Sequence, residues 1–421
     1  MDLKKRIILT TVVGVASAIL CYIRLAQREQ IAADFTFSWR AAWFLLDGQN
    51  PYTAIQPTGD YPFQTFFYYP LPAALVAIPF SFLSPYLAGA LFFGLGSGLL
   101  AFAVTREGWK HMAIFLSAPY WVALAVAQWS PLVVAAMLLP WMQWLLVCKP
   151  NLGAAGFLYR PTRIGLIGAA LLLGLSLILL PSWPMDWLSL LRSLEGHPPP
   201  ILILPFGPLI AIALLRWRLP ESRLLLGLSM LPQLLLFYDQ LPLWLLAPDL
   251  KLGLLYSVLS WVAYLIWRLT GIDPASGQIL SQPTQLILAF LYLPALVLLF
   301  WSYRKQLDSH PATRDNPPME LKLTRWTEKT PPTEAQLREI FSLEELSPYS
   351  WSNGPGDVYA AHSHAFHKVL YVVSGSITWI LPGSDQEIET FPGDRLDLPR
   401  GTQHAARVGT QGVTCLEAHC D

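Results

Sequence analysis

The hydrophobic positions change character once along the chain. After Lys4, Lys5 and Arg6 the sequence stays apolar and uncharged for about 17 residues, long enough to cross a hydrocarbon core. Further apolar runs fall near 67–104, 112–128, 130–147, 164–181, 201–215, 223–238, 252–268 and 284–302. Together they predict about nine or ten crossings, because 67–104 reads either as two spans or as one span plus an interfacial segment. Past residue 305 the long runs stop. Residues 306–330 are rich in proline and polar side chains without periodicity, which reads as a linker. "TEAQLREIFSLEEL" then fits an amphipathic helix: Thr333 and Gln336 have capping-box spacing, and Leu337, Ile340, Phe341 and Leu343 form an apolar face. From Tyr349 onward, short alternating segments are separated by the turn signals "SNGPGD", "SGS", "PGSDQE", "PGDR" and "PRGTQ", the pattern of a small all-β barrel or jelly roll. The expected architecture is an α-helical polytopic membrane domain over 1–305, a linker over 306–330, and an all-β domain over 331–421 that begins with its own helix.

Composition supports two materials in one chain. Hydrophobic residues make up 54% and charged residues 13% of the whole, against roughly 25% charged in an ordinary soluble domain. The zero net charge hides a split: residues 1–305 carry 19 Lys+Arg and 12 Asp+Glu, the remainder 9 and 16. Neither half has a nucleic-acid signature, and four cysteines, at 21, 148, 415 and 420, do not form a disulfide framework. No small-residue cleavage site follows the first run, so it reads as an uncleaved helix with a cytoplasmic N-terminus. The basic clusters Arg106/Lys110, Arg160/Arg163 and Arg216/Arg218/Arg223 fit cytoplasmic loops under the same rule. Arg304 and Lys305 favour a cytoplasmic all-β domain; an even number of crossings agrees with this, and an odd number puts the domain outside.

In the first polar loop Asp34 follows the first run closely, ahead of an amphipathic stretch from Ser38 to Leu46 and a crowd of aromatic residues. A carboxylate at a membrane surface is a general-base candidate, since partial desolvation raises its pKa; the plainer reading is a solvated or helix-capping aspartate. Lys149 reads equally as a phosphate-binding cation or as a lysine snorkelling from a helix end. Asp239 in "FYDQLP" reads as a helix-end residue rather than a catalytic one.

The segments "DFTFSWRAAWFLLDGQNPY" from Asp34, "FYYPLPAAL" from Phe67, "AQWSPL" from Ala127 and "KPNLG" from Lys149 resemble the polyprenol-phosphate-sugar-dependent glycosyltransferases of the GT-C superfamily, close to the family 87 mannosyltransferases. The resemblance spans roughly residues 7–300. It implies a hexosyltransferase in the lipid bilayer with a polyprenol-phosphate-linked, mannose-type donor and a small-molecule or glycan acceptor. Asp34 would then be the catalytic aspartate, and Tyr68, Tyr69 and Lys149 would shape the lipid-phosphate and sugar cavity. Two departures stand out: Ala127 replaces the usual glycine before Gln128, and the tract between Trp129 and Arg160 is short.

The second half carries a denser motif. Gly356, His362, His364 and Gly375 fall at the spacing of the first cupin motif, and Gly393, Pro399, Gly401 and His404 at that of the second. Residues i and i+2 of a strand share a face, so His362 and His364 can reach one ion, with His404 closing the triangle from a facing strand. His367 breaks this parity and faces away, while Glu417 and His419 are possible contributors from the last strand. Cupins commonly place a glutamate ligand where this chain has Lys368, which cannot ligate while protonated. The resemblance implies a three-histidine site for a divalent transition metal, with Fe, Mn, Ni, Cu and Zn undistinguished, or a site that has lost its metal and holds a small ligand. Two functional readings follow: a glycosyltransferase with an accessory metal-binding cupin, or a membrane-anchored cupin that is non-catalytic or a metal-dependent oxygenase or isomerase.

Overall fold

The structure is a computed structural model that describes residues 2–28, 34–57, 65–192, 197–273, 278–308, 321–344, 346–364, 366–382 and 386–420. Residues 309–320 of the predicted linker, 58–64 of the first polar loop and 383–385 of the "PGSDQE" turn lie outside these. The chain divides into two compact units, Met1–Gln306 and Leu307–Asp421.

The N-terminal unit is helical. Among the described residues four helices are long and apolar enough to cross a membrane: Leu3–Gln27, Pro85–Val104, Leu250–Thr270 and Thr284–Trp301. A fifth span results if the bent pair Arg163–Leu179 and Trp183–Arg192 counts as one. Of the nine or ten apolar runs, four or five thus form full-length helices among the described residues, and others are broken into shorter pieces. Proline is the physical reason, because it removes a backbone donor, clashes with the preceding turn and is tolerated only where a helix starts. The run 112–128 breaks into Met112–Leu116 and Ala118–Ala125, with Pro119 at the restart. The run 130–147 breaks into Ser130–Leu138 and the 3-10 segment Pro140–Cys148. These broken pieces bury most of their side chains, among them Leu132, Val133, Val134 and Leu146. Irregular backbone is tolerated at membrane depth where protein covers it.

The first helix packs on Pro85–Val104 through small residues. A Cβ added at Gly94 would lie 2.6 Å from the Cβ of Ala18 and 2.7 Å from the carbonyl oxygen of Gly14. Only glycine there allows the two backbones to approach so closely. Behind this seam Ser17 and Tyr120 share a 2.6 Å hydrogen bond, and Tyr120 donates to Ser97 at 2.9 Å.

The C-terminal unit is one antiparallel sheet of seven strands: β1 Lys322–Thr324, β2 Tyr349–Asn353, β3 Val358–His362, β4 His367–Leu381, β5 Gln386–Thr390, β6 Arg395–Leu398 and β7 His404–Cys420. Two long strands organise it. β4 pairs with β6 along its first part and β5 along its last, and β7 lies along its other edge. β7 in turn carries β2 and β3. Leu370 and Val372 of β4 enter an inner core with Ile377, Trp379, Leu396 and Cys415. Val369 and Tyr371 point to the other face, where they meet Leu337 and Phe341 of helix Glu334–Leu343. That helix begins with the expected capping box, Thr333 accepting from the Gln336 backbone and Gln336 from the Thr333 backbone. Leu343, read from the sequence as part of the apolar face, is 81% exposed instead.

Candidate functional sites

The three histidines converge as the spacing predicts. His362 ends β3, His404 begins β7, and the two are directly paired in register. His364 lies just beyond β3 in the loop toward β4. The ligating nitrogens of all three can lie within 4.8 Å of one another. Two motif glycines explain how the loops achieve this. Gly356 and Gly401 have φ of +76° and +78°, a left-handed backbone that glycine adopts without strain. In the second turn the Gly401 amide donates to the His364 carbonyl at 2.8 Å, so one loop holds the other in place.

The imidazoles are oriented for coordination. The Nδ1 atoms of His362 and His404 lie 2.7 and 2.9 Å from the carbonyl oxygens of Ala360 and Thr402. A carbonyl can only accept, so each Nδ1 carries a proton, which leaves Nε2 as the nitrogen available to a metal in the neutral ring. Among the described residues, the Nε2 atoms of His364 and His404 are buried without a hydrogen-bond partner. Burial, followed by the Lys368 charge and the neighbouring imidazoles, pushes His364 down to about 4. Burial also lowers His404, against the opposing pull of its bond to Thr402. Both rings are thus neutral near pH 7, the form that binds a metal. Buried lone pairs of this kind fit a divalent transition ion, which would act as a Lewis acid toward an oxygen ligand in the adjoining cavity.

That cavity measures about 280 Å³ and is walled by Tyr349, Trp351, Tyr359, Phe366 and Trp379. Lys368 lines it from β4, on the face shared with Leu370 and Val372, and its ammonium is 3.1 Å from Glu417 on β7. Glu417 is fully engaged: Tyr349 donates to it at 2.6 Å, Trp351 at 2.9 Å, and His419 lies 2.9 Å away. Burial alone would raise this carboxyl, but Tyr349, Lys368 and His419 together hold it below its usual range. Glu417 and His419, read from the sequence as possible ligands, are occupied with each other and with Tyr349 instead. His367 lies outside the cavity, its Nε2 3.7 Å from Asp397.

A second polar cluster lies in the N-terminal unit. Asp34 opens helix Asp34–Leu46 and hydrogen-bonds its amide to the Val126 carbonyl at 2.8 Å. Its carboxylate accepts from Gln128 Nε2 at 2.6 Å. Gln128 Oε1 in turn accepts from Lys149 at 2.7 Å and from the Tyr69 hydroxyl at 3.2 Å. Lys149 also forms a buried ion pair with Asp239 at 2.6 Å. Asp34, Tyr68, Tyr69, Lys149 and Asp239 all line one cavity of about 500 Å³. Burial raises the Asp34 carboxyl to about 6, with Lys149 lowering it and Asp239 raising it further.

The structure corrects one sequence reading here. Lys149 does not snorkel to an interface; it is buried, lines the cavity and pairs with Asp239. Asp239 does stand at a helix end, in the first turn of the 3-10 segment Phe237–Leu246, and it is also a member of the cluster. The sequence reading also missed Gln128 as the bridge, although it stands inside the "AQWSPL" segment. Ala127 just before it has φ of +48°, the backbone that glycine would adopt freely.

No family model matches the sequence, and no curated protein matches it. Two solved structures are similar to part of it. One is a DUF861 family protein from Thermotoga maritima, 16% identical, covering 24% of this chain and 100% of that one at a TM-score of 0.18. Another is a protein of unknown function from Rhizobium leguminosarum bv. viciae, 14% identical, covering 26% of this chain and 89% of that one at a TM-score of 0.17. A likeness of this size carries no argument about function.

Proposed function

We propose that the protein is a membrane-anchored, cupin-type metal-binding protein, in which His362, His364 and His404 hold one divalent transition ion. The observation that carries this reading is a triangle of imidazoles with ligating atoms within 4.8 Å, two of them presenting buried, unpartnered Nε2 atoms. An unpaired buried acceptor is costly, so a site with two implies a partner. The apolar helices supply the anchor, and the basic residues after the last one favour a cytoplasmic metal site. Elemental analysis of the purified full chain tests the reading. About one transition ion per chain is expected in the wild type, and none after His362→Ala with His404→Ala. Equal metal in both proteins would overturn it.

A second reading, hexosyl transfer from a polyprenol-phosphate donor, draws on the N-terminal cavity. Asp34, Tyr68, Tyr69 and Lys149 share that cavity although they are scattered over more than a hundred positions. An Asp34 carboxyl raised to about 6 suits a general base. Against it stands the Lys149–Asp239 pair: among the described residues lining the cavity, Lys149 is the one cation, and Asp239 already neutralises it. Asp34→Asn is expected to lower transfer from polyprenol-phosphate-mannose by about 10² to 10⁴. Unchanged transfer in that variant would remove Asp34 from the mechanism.

A further inference from the structure

We infer that the cavity beside the three histidines takes a small organic carboxylate, its anionic end between the metal and Lys368 and its apolar body on the aromatic walls. The inference rests on the metal reading above and adds the ligand class. Charge is the first step of the argument. Lys368 stands where a ligating glutamate would cancel half the charge of a divalent ion. Its ion pair with Glu417 is neutral within itself, so a divalent ion held by three imidazoles would keep its full double charge. Glu417 is saturated by Tyr349, Trp351, His419 and Lys368 and cannot turn toward the metal without stranding those donors. A half-enclosed positive centre of this kind calls for an anion from outside the chain.

Hydrogen bonding is the second step. An ammonium has three donors. Among the described residues Lys368 has one partner, Glu417, although it is only 8% exposed and lines the cavity. Lys368 and the three histidines line the same cavity, so an ion held by the histidines would share that space with the ammonium. A carboxylate has two oxygens and can satisfy a metal and an ammonium together. The third step is the wall: Phe366 has no donor, and Tyr359 and Trp379 donate to Asn353 and Thr390, so these residues offer the cavity ring surface. This favours a carboxylate with an apolar body over a bare inorganic anion, and about 280 Å³ limits that body to a single ring or a short chain.

The test uses the full chain in detergent, loaded with Co(II), whose visible d–d bands report its ligands. Benzoate is the probe, with benzamide as its uncharged counterpart and inorganic phosphate as the bare anion. Benzoate is expected to shift the bands saturably, and benzamide to leave them unchanged. Lys368→Met is expected to keep the cobalt but weaken benzoate roughly tenfold or more, the worth of one charge-assisted hydrogen bond. Lys368→Met with Glu417→Gln, which leaves no buried charge unpaired, guards against misfolding and is expected to show the same loss. Bands indifferent to benzoate, equal benzoate affinity in the variants, or phosphate binding as tightly as benzoate would each overturn the inference while leaving the metal reading intact. A wild type that holds no cobalt would overturn both.

Discussion

The histidine triangle and the Asp34–Gln128–Lys149–Asp239 cluster are both clusters of polar side chains lining cavities, yet they are finished differently. In the N-terminal cluster each strong donor meets an acceptor within the protein: Lys149 reaches both Gln128 and Asp239, and Gln128 reaches Asp34. In the histidine triangle the backbone fixes Nδ1 of two rings, and the Nε2 atoms of His364 and His404 find no hydrogen-bond partner among the described residues. A closed network is compatible with structure alone. An open one, in which orientation is enforced and the lone pairs stay buried, makes sense when something else completes it. The difference therefore separates a cluster whose function needs an added argument from one whose incompleteness is the argument.

The largest expected effect lies in the closed network. Lys149 and Asp239 each have about 8% of their side chains exposed, so removing one partner strands a buried charge. Lys149→Met is expected to destabilise the protein by about 3–5 kcal/mol, and adding Asp239→Asn to recover much of that loss. Thermal unfolding in detergent, followed by circular dichroism, reads both. A Lys149→Met protein as stable as the wild type would mean that the cluster is not a structural unit, and would strengthen its claim to be a ligand site.

Acidification should separate the two clusters next. His364, ordinarily near 6.5, sits near 4 in the folded chain, and His404 is lowered as well. Above about 6.5 these rings are neutral whether folded or unfolded, and they contribute no pH dependence. As pH falls from 6.5 toward 4 the unfolded chain takes up protons that the folded one resists, so stability declines through that window. Metal-free protein is expected to show this decline in urea titrations, and His364→Asn to flatten it. Parallel curves for the two proteins would mean that His364 is not held neutral by its surroundings.

Legibility in the sequence follows the same division. The two histidine arms could be read because strand parity and glycine-framed turns are local, and Gly356, Gly375, Gly393 and Gly401 all have positive φ. The fate of Lys368 could not be read. Its partner is set by register: β4 and β7 pair Lys368 with His419 and Leu370 with Glu417, which brings Glu417 diagonally onto the lysine. The meeting of Gln128 and Asp239 at Lys149 is not legible for a similar reason, since segments far apart in sequence bring them together. Which apolar runs form unbroken helices is not legible in hydropathy, which counts apolar residues and does not register that Pro119 and Pro140 restart the backbone inside an apolar run.

The smallest effect tests whether the open site is held open by its turns. Gly401 has φ of +78° and no atom within 4 Å of a prospective Cβ, so Gly401→Ala meets backbone strain without a clash. A left-handed backbone costs a non-glycine residue about 1–2 kcal/mol. The turn can instead relax toward negative φ, but its amide would then leave the His364 carbonyl, 2.8 Å away, and His404 begins only three residues later. Strain and relaxation have distinguishable signatures. If the turn holds, unfolding is about 1 kcal/mol easier and metal affinity is unchanged. If it yields, stability is largely kept while metal affinity falls, because the His364 and His404 arms lose the bond that aligns them. The positive φ and the amide bond together favour the second outcome, and zinc titration of wild type and Gly401→Ala against a competing chelator measures it. A variant unchanged in both stability and affinity would mean that the turn neither strains at this position nor positions the histidines.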